Sequence, residues 1–308
     1  MKKHLIIGVI VGFLGTAVQA QQDAMFTHYM YNTQAVNPGY AGSRDALTVT
    51  ALHRSQWVGF PGAPLTQTIT AHMPIANDHF GVGLSLGNDK IGPTNTTGFM
   101  ADFAYRMKVG EKSHLALGLK GGLNMFQADL TRLKLDQPGD NAFGTNIQSK
   151  LLPNVGFGAY YHRERFYAGV SAPKLLENNF YTNLTTSSLA IEKRHYFGIL
   201  GAVFPIGQSV ELKPTTFVKV TPGAPIEADL TANFIFNNKF ILGVMGRTGD
   251  AAGLLLGLNV TEQLTAGYSF DYSFTNATGR YNYGSHEFML RYDFIYNNLK
   301  KIKSPRYF

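Results

Sequence analysis

Leu264-Thr-Ala-Gly-Tyr-Ser-Phe-Asp-Tyr-Ser-Phe274 is the stretch whose reading decides the fold. Side chains of a strand alternate between its two faces. Leu264, Ala266, Tyr268, Phe270, Tyr272 and Phe274 therefore share one fully apolar face. Thr265, Gly267, Ser269, Asp271 and Ser273 share the other, which is small, polar and carries a carboxylate. The same alternation recurs along the chain, with aromatic residues near the segment ends. That is the pattern of a transmembrane barrel, apolar toward lipid and polar toward its lumen.

Working outward, fourteen alternating segments are read near 45–53, 65–73, 79–87, 96–108, 113–127, 154–162, 165–172, 195–204, 209–220, 226–236, 239–247, 251–260, 263–274 and 283–294. Phe80, Val82, Leu84 and Leu86 alternate with Gly81, Gly83 and Ser85; Leu254, Leu256 and Leu258 alternate with Gly253, Leu255 and Gly257. The odd-numbered connections include every long one: 54–64, 88–95, 128–153, 173–194 and 275–282. The even-numbered ones, such as Arg163–Glu164 and Asn237–Asn238, are short. Outer-membrane barrels segregate loops this way, with short periplasmic turns and longer outer loops. A soluble β-sandwich has no reason to do so. The expected fold is an all-β, antiparallel transmembrane barrel of about 14 strands with both ends periplasmic.

The beginning of the chain fits that location. Met1-Lys2-Lys3 precedes an apolar run from Leu5 to Val18, and Val18-Gln19-Ala20 is a plausible cleavage site. Residues 1–20 read as a secretory signal peptide, too short for a stable membrane anchor. Residues 21–44 form a pre-barrel segment with a turn-rich run at Asn37-Pro38-Gly39-Tyr40-Ala41-Gly42, and the pattern leaves open whether it plugs the lumen or extends into the periplasm. The barrel occupies 45–295, and 296–308, with Lys300, Lys301, Lys303 and Arg306, reads as a periplasmic tail.

Composition narrows the chemistry. There is no cysteine, which removes disulfides, thiolate metal sites and a lipidated cysteine at the mature end. The formal charge is +7, or +5 without Lys2 and Lys3, and the basic residues are scattered, so nucleic acid is not an expected partner. His53, His72 and His79 lack a metal-ligand spacing, and no cofactor is expected. Gly169-Val-Ser171-Ala-Pro173 is only superficially like a nucleophile elbow, so catalytic residues are not assigned and the chain reads as a non-enzyme.

Two sets of candidate site residues remain. Arg54-Ser-Gln-Trp57-Val-Gly-Phe-Pro61-Gly-Ala-Pro64 is the densest polar and aromatic cluster and holds the only Trp. Following the first strand, it belongs at the outer mouth, either as a partner surface or as a rigid turn with an interfacial anchor. Arg54, Gln56, Trp57, Pro64 and Asp89 are the partner-binding candidates. The second set is lumenal: Asp102, Arg106, Lys120, Asp271, Glu287 and Arg291, with Glu227, Asp229 and Asp293 beside them. Opposite signs in a lumen form a structural network or tune a pore. Inward glycines at 81, 83, 118, 122, 253, 257 and 267 leave space that side chains alone would not fill. The expected occupant is a folded-in loop or an inserted segment of a secreted partner; water is the alternative.

The ordered pieces of the chain resemble one family. They are Tyr31-Asn-Thr-Gln-Ala-Val-Asn37-Pro38-Gly-Tyr40-Ala-Gly42, Arg54-x-Gln56-Trp57, Pro64, His72-x-Pro74, Asp89-Lys-Ile-Gly92-Pro93, Pro153-Asn-x-Gly156-x-Gly158, Phe166-Tyr-x-Gly169-x-Ser171-x-Pro173 and Gly284-Ser-His-Glu287-Phe-x-Leu-x-Tyr292-x-Phe294. The chain resembles the PorP/SprF family of outer-membrane proteins of type IX secretion in Bacteroidota, departing at Gly39, where Ala is expected. The resemblance implies a barrel in the outer membrane, reached by Sec-dependent export and surrounded by outer-membrane lipid. It implies partners among the secretion machinery, or secreted adhesins, including gliding adhesins, and their C-terminal sorting domains. A transport channel for small or hydrophobic solutes is the competing reading.

Overall fold

The computed structural model describes residues 25–76, 78–133, 145–180, 192–274 and 282–295. The expected signal peptide, 1–20, and the expected periplasmic tail, 296–308, lie outside the described residues. The chain forms one closed antiparallel barrel of fourteen strands. They are β1 Leu47–Ser55, β2 Leu65–Ile75, β3 Phe80–Ile91, β4 Thr94–Gly110, β5 Ser113–Ala128, β6 Ile147–Arg163 and β7 Phe166–Ala172. β8 runs Tyr196–Ala202 and resumes after Val203 as Phe204–Ile206, both parts pairing with β9. Then follow β9 Val210–Val220, β10 Glu227–Phe236, β11 Phe240–Arg247, β12 Ala251–Asn259, β13 Leu264–Ser273 and β14 Ser285–Phe294. Each strand pairs with its sequence neighbours, and β14 closes on β1 from Leu47↔Phe294 to Ser55↔His286. No edge is left for a stray strand to extend.

The alternation behaves as the sequence pattern requires. On β13, Thr265, Ser269, Asp271 and Ser273 are buried inside while Tyr272 is exposed; on β12, Leu254 and Leu256 are exposed and Leu255 is buried. The outer surface carries a belt of exposed apolar residues, including Ile69, Leu84, Phe103, Leu119, Leu242 and Leu290. An exposed apolar belt of this kind is stable only against hydrocarbon. Aromatic pairs mark its periplasmic border: Phe80 packs on Phe103 and Tyr105, Tyr161 on Phe166, and Tyr292 on Phe294.

One connection differs from the sequence reading. Residues 88–95 are not a loop: β3 and β4 continue to Ile91 and Thr94, joined by Gly92 and Pro93, with Gly92 at φ 54°. β4, β5 and β6 hold 17, 16 and 17 residues. A tilted spanning strand needs about 9–11, so these strands stand above the membrane as an outer wall. Outside the hydrocarbon they lose the apolar face, which is why Asn88, Asp89, Lys90, Thr94 and Asn95 look like loop in the sequence. The described parts of the two longest connections fold onto this wall, where Phe180 meets Phe126 at 4.6 Å in a cluster with Leu130 and Leu152.

The lumen is filled by the chain's own N-terminal segment, residues 25–44, in place of the folded loop or guest expected from the glycines. Phe26 to Tyr31 are all buried, as are Tyr40 and Ala41. The segment descends from the outer half, where Thr27 meets β13 and β14, to the periplasmic rim, where Arg44 pairs with Asp293 and Asp45 with Arg106. Two short 3-10 turns, Thr33–Ala35 and Pro38–Tyr40, compact it, and Asn37 caps the second by accepting from the N–H of Gly39 at 2.9 Å. Gly81, Gly83, Gly118 and Gly267 of the inward glycines are its seat, whereas Gly122, Gly253 and Gly257 lie against residues of the wall. A Cβ on Gly81 would lie 2.0 Å from the carbonyl oxygen of Ala41, and one on Gly118 2.3 Å from the nitrogen of Gly39. Backbone lies against backbone there, and only glycine permits it.

Candidate functional site

The site is a plugged lumen with an outer mouth. Each of the six lumenal candidates is buried, and most bind the plug or each other. Asp102 and Lys120 pair at 2.9 Å; Gln34 of the plug donates to Asp102 at 3.0 Å, and Lys120 donates to the Gln34 carbonyl at 3.3 Å. Glu287 accepts from the N–H groups of Thr27 and His28 at 2.9 and 2.7 Å, and its oxygen lies 2.8 Å from the His28 imidazole. Asp271 accepts from the Thr27 hydroxyl at 2.6 Å. Arg106 reaches Asp45 at 3.0 Å, and Arg291 lies over the Tyr31 ring at 5.2 Å. Asp293 takes both arms of Arg44, at 3.1 and 2.8 Å. Burial alone pushes the Arg44 guanidinium toward its neutral form; the Asp293 carboxylate overrides this and raises its pKa. Buried carboxylates with two or more charged or N–H partners define one geometry, because removing a partner strands a charge in a dry interior.

Arg54 belongs to this network and not to the outer loop. β1 runs on to Ser55, two residues past the segment read from the pattern, and even-numbered positions of β1 face inward. Arg54 is 2% exposed and contacts Asp271 at 2.7 Å, Glu287 at 3.2 Å and the Thr27 hydroxyl at 3.0 Å. Cations the candidate list missed also line the lumen: Arg247 pairs bidentately with Asp229, Lys219 with Glu227, and Lys213 lies over the rings of Tyr31 and Tyr167. All three sit at inward parity within alternating segments, so the signal for them was present. The histidines go separate ways. His72 is buried and accepts from the N–H of Gly42, His53 faces outward against Gln67, and His79 lies in the β2–β3 turn.

At the mouth, Gln56 and Pro64 close the base of their loop through a backbone bond of 3.0 Å. Trp57 adopts φ 48°, a costly conformation for a bulky residue. Its indole N–H donates to Ser273 at 3.3 Å and its backbone N–H to Ser285 at 3.2 Å, both on inward-facing positions. Trp57 therefore turns toward the lumen rim and does not anchor in the lipid interface. The loop pairs with the chain before β14 through Val58 and residues 283 and 284. What this holds out to solvent is apolar: Val58 and Phe60 are 36% and 38% exposed, and Tyr283 is 79% exposed. Asp89 lies beside this loop on β3, accepting from the hydroxyl of Thr66 at 2.6 Å.

Between mouth and plug is an open cavity of about 220 Å³ bounded by β2–β6, Phe26 and the start of the 173–195 connection.

A family model described as type IX secretion system membrane protein PorP/SprF matches residues 18–292. No curated protein matches the chain in sequence. Solved structures similar to it include the toluene transporter TbuX of Ralstonia pickettii, with 8% identity and a TM-score of 0.49 over 83% of this chain and 91% of that one. The monoaromatic hydrocarbon channel CymD gives 8% and 0.49 over 86% and 93%, and a Pseudomonas aeruginosa FadL homologue gives 13% and 0.41 over 84% and 93%.

Proposed function

The chain belongs to the PorP/SprF family of type IX secretion membrane proteins, residing in the outer membrane, and from this we propose that it is a non-enzymatic holding barrel for protein partners. Its outer mouth engages a secreted chain, such as the C-terminal region of an adhesin. Its periplasmic rim faces the secretion machinery, so the barrel links export to surface attachment and gliding.

The observation that carries this reading is the plug. A solute channel needs a continuous open path through the lumen. Here the lumen is occupied by residues 25–44, which are bonded to strands around the wall and seated on backbone at Gly81 and Gly118. The exposed apolar trio Val58, Phe60 and Tyr283 supplies the kind of surface that partners bury.

Planar-bilayer recording of the purified protein is the test. Low conductance, together with a secreted protein lost from the cell surface when Phe60 and Tyr283 are replaced by Ser, supports the reading. Large, steady conductance indifferent to any secreted protein overturns it in favour of a channel for small or hydrophobic solutes.

A further inference from the structure

The 220 Å³ outer cavity belongs to neither the plug network nor the exposed loop edge. Its floor is apolar, made by Phe26 and Val36 of the plug with Leu152, Phe180 and Phe197. Much of its wall is uncharged and polar, made by Thr66, Thr68, Ser85, Thr96 and Asn124. Few convergent polar groups over an apolar base is the build of a ligand pocket.

The buried charges around it are already committed, and the half-buried Lys193 is the one lining cation without an ion pair among the described residues. Lys120 is paired with Asp102, Glu192 bonds Lys174 and Asn178, and Asp89 takes the Thr66 hydroxyl. A charged guest would lose water and find no buried, unspent counter-charge. The Ser85 hydroxyl, in contrast, is buried without a hydrogen-bond partner among the described residues. Across the β3–β4 register Gly87 faces Gly98. Asn124 covers Gly98, but a Cβ on Gly87 would meet nothing closer than 3.9 Å. One strip of the wall is therefore bare backbone that another chain can approach closely.

We propose that this vestibule binds an uncharged, extended peptide segment and seats one large apolar side chain of it on the Phe26 floor. Backbone groups of the guest lie along Gly87 and the threonine row. A glycan fits less well, because Phe26, Phe180 and Phe197 are each under a tenth exposed and offer no open ring face for a sugar to stack on. The inference rests on the protein-holding function and gives that function a specific pocket.

The test uses the full-length barrel and a dye-labelled, end-capped pentapeptide, Gly-Ser-Phe-Ser-Gly, read by fluorescence anisotropy. Its partners are the same peptide with Gly or Asp at the centre, and a maltooligosaccharide. The Phe peptide should bind at least tenfold more tightly than the Gly and Asp peptides. Gly87→Phe fills the pocket from the wall without an internal clash, and Thr96→Phe fills it from the neighbouring strand. Each should weaken binding at least tenfold in protein that still migrates as a folded, heat-modifiable barrel. Gly121→Phe, on the lipid face where a Cβ meets nothing within 4 Å, should bind as the parent does. Equal binding of the three peptides, unchanged binding in both filled variants, or preference for the oligosaccharide overturns the proposal. Surface retention of secreted protein separates the two levels. If the filled variants lose the peptide yet retain their partner, the pocket is not the partner's seat and the vestibule proposal falls while the holding function stands. If the parent barrel retains no secreted protein but binds the Phe peptide selectively, the holding function fails and the pocket remains.

Discussion

Glu287 on the last strand grips His28 of the plug at two points, accepting its backbone N–H at 2.7 Å and lying 2.8 Å from its imidazole Nδ1. The residues are 259 positions apart, so one carboxylate ties the start of the plug to the closing strand of the barrel. Arg54 and Thr27 share the same carboxylate. Glu287→Ala leaves Arg54 with Asp271 as its one carboxylate partner and strands two buried N–H groups; breaking a buried ion pair costs about 3–5 kcal/mol. We expect a lower unfolding temperature and faster proteolysis at residues 25–30. An unchanged melting curve with an intact N-terminus would show that the plug is held from elsewhere.

The glycine seat makes a second, sharper prediction. Gly118→Val puts a side chain where Pro38 and Gly39 lie, 2.3 Å from their backbone. The strand can tolerate valine, so the plug must leave. Conductance should rise from closed to open while the barrel still assembles. Gly121→Val, three positions along and facing lipid, should leave conductance unchanged.

Period two made the barrel legible: strand number, lipid face and lumenal acids all follow from alternation such as that of Leu264–Phe274. Parity also placed Asp271 and Glu287 inside. It failed where a strand end mattered, because Arg54 changes from loop to lumen when β1 gains two residues. It failed again at Asn88 and Asn95, where β3 and β4 leave the hydrocarbon and the apolar face vanishes. The plug was illegible for another reason. Its contacts join residues such as Thr27 and Asp271 across the whole chain, and no local period encodes them. The glycines recorded only that something needed room.

The direction of the plug can be checked in intact cells. The chain has no cysteine, so single cysteines are clean probes. Met25 lies at the outer end of the plug beside Phe26 of the vestibule, whereas Asp45 lies at the periplasmic rim with its side chain 63% exposed. A membrane-impermeant maleimide should label Met25→Cys from outside and spare Asp45→Cys until the outer membrane is breached. The opposite pattern would reverse the threading and place the vestibule on the periplasmic side.

The lipid face is tested at β12. Leu256 is 51% exposed and pairs with Leu242 and Tyr268, both on the apolar belt, while its neighbour Leu255 is 1% exposed and packs inside with Met245 and Met289. Leu256→Arg forces a guanidinium into hydrocarbon. Near the midplane this costs about 2–4 kcal/mol, and the penalty exists only when lipid is the solvent. Refolding into bilayers of stated thickness should therefore lose that stability. The same variant in a detergent that solvates the charge should lose much less. Leu255→Ala reverses the comparison: it removes buried side-chain volume from the core, typically about 2–5 kcal/mol, and should weaken the protein equally in bilayer and detergent. If Leu256→Arg proves harmless in bilayers while Leu255→Arg is tolerated only in detergent, the inside and outside of the barrel have been assigned the wrong way round.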